Sequence, residues 1–201
     1  MNKKGQAWMG VLVVFGVIVA AVVVIALILI GMYNGLVSQD TATGKTWGNV
    51  QAAYQRRADL VPNLVATVKA YSDYEGKVLT DITEARASIT RATSPEQLQA
   101  ADAQLTSALS RLLVVVENYP NLKANQNYLD LQAQLEGTEN RINTERGYYN
   151  DQVQLYQNKV RKFPTNMIAG MFGFSQDKWK TFQANEGAQN APNVANLFNN
   201  S

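Results

Sequence analysis

The side chains in this sequence that could do chemistry are carboxylates, amines, guanidinium groups and phenols. Its 201 residues include 18 Lys and Arg, 16 Asp and Glu and 9 Tyr, but no His and no Cys. Without imidazole there is no Ser-His-Asp arrangement, no His general base and no His metal ligand. Without thiols there is no disulfide framework, Cys-based zinc site or thiol nucleophile. Acid–base work would rest on carboxylates, Tyr or Lys, and none of these is visibly paired. Glu136, Glu139 and Glu145 are of the type that holds a hard cation, but their spacing does not converge, and Glu136 and Glu139 read as surface. Tyr148, Tyr149 and Tyr156 could form a ligand platform, yet tyrosines at helical spacing more often pack with the hydroxyl at a rim. No Gly-rich phosphate loop or helical metal motif is present. The sequence therefore predicts a non-enzyme without catalytic, cofactor-binding or metal-ligating residues, and without a cofactor.

The residues best suited to meet a partner are Arg56, Arg57, Asp59, Asn63 and Glu75. Arg56-Arg57-Ala58-Asp59 could suggest a phosphate site, but the nearby Asp compensates the arginines. Arg57 and Glu75 interrupt an otherwise apolar helical stripe. They could form a polar latch or a point of partner contact. The packing alternative, which is favoured, rotates the stripe so that both lie at a bundle edge with aliphatic stems packed and charged ends wet.

The elements that must position these residues begin with a membrane anchor. No charged residue occurs between Lys4 and Asp40, and Val11–Ile30 is an unbroken apolar run of twenty residues. A bilayer core about 30 Å thick needs about 20 helical residues. Trp8 and Tyr33 bracket the run where amphipathic rings favour the headgroup layer. A cleaved signal has a shorter apolar region and a small-residue cleavage site, so a retained single span is expected. Lys3 and Lys4 outweigh Lys45, which Asp40 offsets, and this favours a cytoplasmic N-terminus with the body outside. Lys3-Lys4-Gly5 before an apolar helix also resembles a prepilin-type leader cut after Gly5, although pilins usually carry Glu where this chain has Gly10. An N-terminal mass starting at Met1 or Asn2 excludes that reading, and one starting at Gln6 supports it. Gly16 and Ala20 are spaced for close helix association within a membrane. From Met32 onward the chain carries 16 basic and 16 acidic residues. Such a balance lacks the one-signed field that nucleic acid binding requires.

Beyond the anchor, heptad-like spacing predicts long helices. One seam runs through Val50, Tyr54, Arg57, Val61, Leu64, Val68, Tyr71, Glu75, Val78, Ile82, Ala85 and Ile89. Pro62 lies within it, either kinking the helix or opening a new one capped by Asp59. Ser94-Pro95-Glu96-Gln97 reads as a capping box. The helix it opens carries Leu98, Ala101, Leu105, Leu109, Leu112, Val116 and Tyr119 on one face, and Pro120 ends it. A third helix is expected from Leu122 to Phe163, with a seam at Tyr128, Leu131, Leu135, Thr138, Ile142, Glu145, Tyr149, Val153, Tyr156, Val160 and Phe163. Met167, Ile168, Met171, Phe172 and Phe174 then form a loop or short helix that folds back, and Trp179 and Phe182 begin another short helix.

With those residues placed, the chain resembles the LemA family of single-span membrane proteins. The match begins at Tyr33-Asn34-Gly35-Leu36-Val37 and includes Trp47 and Val50. It is densest over residues 55–65, Gln-Arg-Arg-Ala-Asp-Leu-Val-Pro-Asn-Leu-Val, followed by Thr67-Val68-Lys69 and Tyr71. Further matches are Ala85-Arg86, residues 117–124, Glu139-Asn140-Arg141-Ile142, Arg146, Tyr149-Asn150, Gly173-Phe174, Phe182 and Ala191-Pro192. The resemblance implies an N-terminal anchor, an α-helical body without established catalytic activity and, in some relatives, links to membrane metalloproteases or magnetosome formation. The family is often drawn with its short N-terminus outside, against the charge-based orientation. Where the family usually has His beside Glu, this chain reads Tyr74-Glu75, so any role of that His is absent.

The expected fold is all-α, an N-terminal transmembrane helix followed by an elongated antiparallel bundle of long helices. The expected organisation is a basic flank (1–7), the span (8–32), a LemA-like bundle (33–184) and a flexible Asn-rich tail (185–201). The expected function is a non-catalytic scaffold or adaptor of the cell envelope. It would contact the lipid bilayer, self-associate, and bind another membrane protein such as a metalloprotease, but not nucleic acid. Alternatives are a ligand-sensing extracytoplasmic bundle and a pilin-like subunit.

Overall fold

A computed structural model of the chain describes residues 3–71 and 76–183. Six α-helices and no strand occur among the described residues: α1 (Lys3–Lys69), α2 (Gly76–Arg91), α3 (Pro95–Val116), α4 (Pro120–Lys123), α5 (Gln126–Arg161) and α6 (Thr165–Met171). The expected all-α class is what the structure shows. Glu75 and the tail 185–201 lie outside the described residues.

Chain contacts divide the molecule into two compact units. One comprises the described residues up to Thr46 together with Asp151–Trp179; the other comprises Trp47–Asn150 and the segment starting at Lys180. Both α1 and α5 supply residues to each.

In the second unit, the seam residues form the core for the reason their spacing implies: recurrence near 3.5 residues puts them on one helix face. Val50, Tyr54, Val61, Leu64 and Val68 of α1, Val78, Ile82, Ala85 and Ile89 of α2, and Leu98, Ala101, Leu105, Leu109, Leu112 and Val116 of α3 are all buried. Tyr128, Ile142 and Tyr149 of α5 join them. Neighbouring segments run antiparallel. Gln55 and Asp59 of α1 bond to Thr90 and Arg86 of α2, Asp81 of α2 pairs with Arg111 of α3, and Trp47 meets Tyr149 while Arg57 meets Glu139. Ser94 caps α3 as expected, its Oγ accepting the Gln97 amide at 3.3 Å. The Gln97 side chain reaches back one residue further, to the Thr93 amide at 2.9 Å.

Several boundaries differ from expectation. The seam from Val50 to Ile89 belongs to two helices, because α1 stops at Lys69 and α2 starts at Gly76. Their registers happen to continue each other, which periodicity cannot distinguish from one rod. Pro62 lies inside α1 and starts nothing. The third helix is broken at Ala124–Asn125, where the Asn125 side chain accepts the Tyr128 amide and caps α5. Tyr119 and Phe163, placed on seams, are exposed. Trp179 and Phe182 are not helical.

The first unit is small. Leu36, Tyr156, Val160, Ile168 and Ala169 make its core, with Met32, Phe174 and Trp179 against it. Asp40 holds the returning chain, accepting from Trp179 Nε1 at 2.8 Å and Lys178 Nζ at 2.7 Å. Gln39 and Gln152 bond side chain to side chain at 2.9 Å. The apolar half of α1 has no such partner: Val11–Ile30 is exposed throughout, and the most apolar stretch has a mean hydropathy of 3.5. This is one helix long and apolar enough to cross a membrane.

Candidate functional site

Helix α1 separates the five expected partner-contact residues. Arg56, Asp59 and Asn63 follow i, i+3, i+7 spacing and share an exposed face. Arg57 is turned a further 100° or so, onto the face of Tyr54, Val61 and Leu64. Glu75 is outside the described residues.

Arg57 corrects the packing alternative, which left its charged end wet. The side chain is 9% exposed. Its Nη1 is 2.6 Å from Asp102 Oδ1 and 2.6 Å from Glu139 Oε2, and its Nη2 donates to Thr106 Oγ1 at 3.1 Å. Nη1 alone meets a carboxylate on α3 and one on α5, and the planar fork leaves Nη2 for Thr106, a third contact for which an ammonium has no second nitrogen. Arg57 Nε and the Tyr54 hydroxyl find no hydrogen-bond partner among the described residues. Burial pushes the Asp102 carboxyl above its ordinary value against the pull of Arg57, and the Glu139 charge adds to the rise. Burial likewise pushes the Tyr54 hydroxyl up to about 12, with Asp102 contributing. One cation thus faces two carboxylates in a mostly dry setting.

Arg56 lines a groove of about 680 Å³ between α1 and α5 with Asn49, Gln134, Gly137, Arg141 and Glu145. Glu145 is buried and takes an ion pair from Arg141 at 2.6 Å. Asp59 accepts from Gln55 at 2.9 Å and from Arg86 at 3.2 Å. Asn63 is exposed, and its backbone carbonyl accepts the Thr67 hydroxyl at 2.9 Å.

Asp102 and Thr106 did not stand out in the sequence. Their i, i+4 spacing beside Ala101 and Leu105 puts them at the margin of the α3 seam, and that margin is the one available signal. Glu139, read as surface, has one oxygen against Arg57. The three glutamates go to different neighbours: Glu136 to Gln132, Glu139 to Arg57 and Glu145 to Arg141. No cluster of three metal-ligating side chains occurs among the described residues. Tyr149 and Tyr156 are buried while Tyr148 is exposed, so the three make no common platform.

Phe182 is a further contributor. It is buried among Trp47, Tyr54 and Tyr149, with the Arg146 guanidinium 4.8 Å over its ring. Asn150 fastens it by accepting the Phe182 amide at 2.9 Å and donating to its carbonyl at 3.2 Å.

The LemA family model matches residues 46–195, which include the Arg57 cluster, the Arg56 groove and the Phe182 anchor point. The chain belongs to the LemA family. Similar proteins include Magnetosome protein MamQ 2 of Paramagnetospirillum magneticum, 26% identical over 187 residues that cover 80% of this chain and 69% of that protein. Protein LemA of Metamycoplasma hominis is 26% identical over 144 residues, covering 70% and 64%. Magnetosome protein MamQ of Magnetospirillum gryphiswaldense is 24% identical over 170 residues, covering 72% and 62%. In this LemA-family chain the buried Arg57 is met across helices by Asp102 and Glu139, whereas the buried Glu145 is met by Arg141 within α5.

Proposed function

We propose that the chain is a membrane-anchored helical scaffold or adaptor: the apolar half of α1 crosses a lipid bilayer, and the second unit meets a partner along the Arg56–Asp59–Asn63 face. The observation that carries this is the continuity of α1, one helix from the exposed apolar run to the face that bears Arg56. Membership in the LemA family supports the same reading, since the family resemblance implies single-span anchors with helical bodies. A single anchor confines the body to a plane and raises its effective concentration for partners in that plane. The groove beside Arg56 suits an acidic segment, because Arg56 and Arg141 face it against one carboxylate, Glu145. Partner contact of this kind includes self-association and binding of another envelope protein.

The test is photo-crosslinking in membranes from positions 56 and 63, with position 107 on the exposed face of α3 as control. A species captured from positions 56 and 63 but not from 107 supports the scaffold. Equal or no capture at all three, together with monomers at every concentration in nanodiscs, rejects it.

A further inference from the structure

The first unit leaves a group of large apolar side chains uncovered near the end of the apolar run. Phe163, Met167, Met171 and Phe172 are 79%, 64%, 81% and 59% exposed. Their exposure follows from the way α6 is built. Ile168 and Ala169 face the core, so Met167 and Met171, spaced i and i+4, face away. Gly173, at φ 77°, ends α6 in the left-handed region, and the Phe174 amide bonds back to the Ala169 carbonyl at 2.9 Å. That reversal is the Schellman pattern, for which glycine is suited because it has no Cβ to clash. It returns Phe174 to the core and leaves Phe172 at the turn.

The location of this tip along α1 decides what covers it. Phe172 lies against Tyr33, with ring centroids 4.9 Å apart, and Met32 packs on the same small core. Tyr33 is three residues past Ile30, so about 4–5 Å along the axis at ~1.5 Å per residue. The headgroup layer on each side of a bilayer core is roughly 5–7 Å deep. If Val11–Ile30 fills the hydrocarbon, Tyr33 and Phe172 therefore lie within the headgroup layer, and the exposed methionines of α6 are beside them. The local charge agrees. Lys159, Arg161 and Lys162 precede α6, and no Asp or Glu occurs between Asp151 and Asp177. Apolar side chains flanked by cations are the pattern of a segment lying in an anionic lipid interface.

We propose that the tip formed by α6 and its flanking phenylalanines is a second membrane contact, seated in the headgroup region of the leaflet from which α1 emerges. It is continuous with the span through the Tyr33–Phe172 contact and drawn to anionic lipid by Lys159, Arg161 and Lys162. The assignment rests on the membrane-spanning reading of α1. With the chain held at both α1 and α6, the first unit is a collar at the lipid surface rather than a free stalk.

Because the sequence has no cysteine, single labels are unambiguous. The full chain with Met171→Cys, Asp151→Cys or Val19→Cys, each spin-labelled, is reconstituted in vesicles of zwitterionic lipid with or without added anionic lipid. Relative accessibility to oxygen and to a water-soluble nickel chelate reports depth. The proposal expects the Met171 label to favour oxygen several-fold more than the Asp151 label, and to deepen when anionic lipid is added. Val19→Cys must report hydrocarbon; a water-exposed label there rejects the spanning reading itself. A Val19 label in hydrocarbon with a Met171 label as wet as Asp151 overturns only the second contact. Strong spin–spin broadening at Met171 without a gain in depth overturns it in favour of a second copy of the chain. Lys159, Arg161 and Lys162 changed together to Gln should abolish the response to anionic lipid; a response that persists overturns the charge assignment.

Discussion

At the scale of single residues, Arg57 is the position where a substitution should be felt most. Removing one member of a buried ion cluster strands the others, at about 3–5 kcal/mol. Because Glu139 is 43% exposed and can rehydrate, the lower end applies. Arg57→Ala should therefore destabilise the folded chain by about 3 kcal/mol, and Arg57→Lys should recover only part of this because a single ammonium nitrogen has no second nitrogen to hold Thr106 while it meets the carboxylates. Denaturant titration of the full chain in detergent measures both. Asp102 makes a pH prediction of definite sign. A carboxyl whose folded value is raised takes up its proton in the folded state first, so its contribution to stability improves as pH falls from the raised value toward 3.8. The stability difference between wild type and Asp102→Asn should shift in favour of wild type on acidification; a shift the other way refutes the assignment. Phenols give the alkaline counterpart. Burial pushes Tyr54, Tyr149 and Tyr156 up to about 12 from an ordinary 10.0. Unfolded chains lose those protons first, so stability should fall as pH rises from 10 to about 12. Tyrosinate absorbance followed alongside circular dichroism should show these three ionising only as the helices melt.

Among the elements, α1 carries a visible cost. Pro62 has no amide to offer the Ala58 carbonyl, and its ring is on an exposed face. Pro62→Ala should raise stability, by up to about 3 kcal/mol if the helix closes its missing bond. A fall in melting temperature would mean that Pro62 is needed for packing that the substitution loses. Conversely, Ser94→Ala should cost about 1 kcal/mol by freeing the Gln97 amide at the start of α3. The Ser94 cap is readable from residue types, because a capping hydroxyl acts within three residues, whereas residue types leave open whether Pro62 kinks the helix or opens a new one. By contrast, the end of α1 at Lys69 and the start of α2 at Gly76 are concealed by seam positions on both sides that keep the same register. The segment around Phe182 departs from the expected helix for a related reason. Two aromatic residues three apart suit a helical face, but here Asn150 fastens the Phe182 backbone directly and Trp179 is held by Asp40 in the other unit.

For the whole molecule, the exposed run of α1 dictates where the chain can reside. Twenty apolar residues without a protein partner would present far more apolar surface than a monomeric soluble protein leaves uncovered. The full-length chain should stay with membranes through an alkaline carbonate wash and leave them only with detergent. Recovery in the aqueous fraction would remove the anchor from the proposed function. Protease shaving of intact cells would assign the side: digestion of the second unit supports the charge-based orientation, and protection supports the arrangement often drawn for the family.

The anchor, the helical class and most of the buried seam were determined by the amino-acid order alone, since each depends on hydrophobicity recurring over a few residues. Arg57 shows where that reasoning stops. Its position on a seam was plain, but whether its charge met solvent or carboxylates depended on Asp102 and Glu139, 45 and 82 residues away along the chain. Likewise, Met171 and Phe172 read as an apolar cluster that could fold inward. Only the packing of Ile168 and Ala169 on the core and the reversal at Gly173 turn them outward, with Phe172 against Tyr33. Local pattern states which face of a helix is apolar; what lies opposite that face is a property of residues brought together by folding.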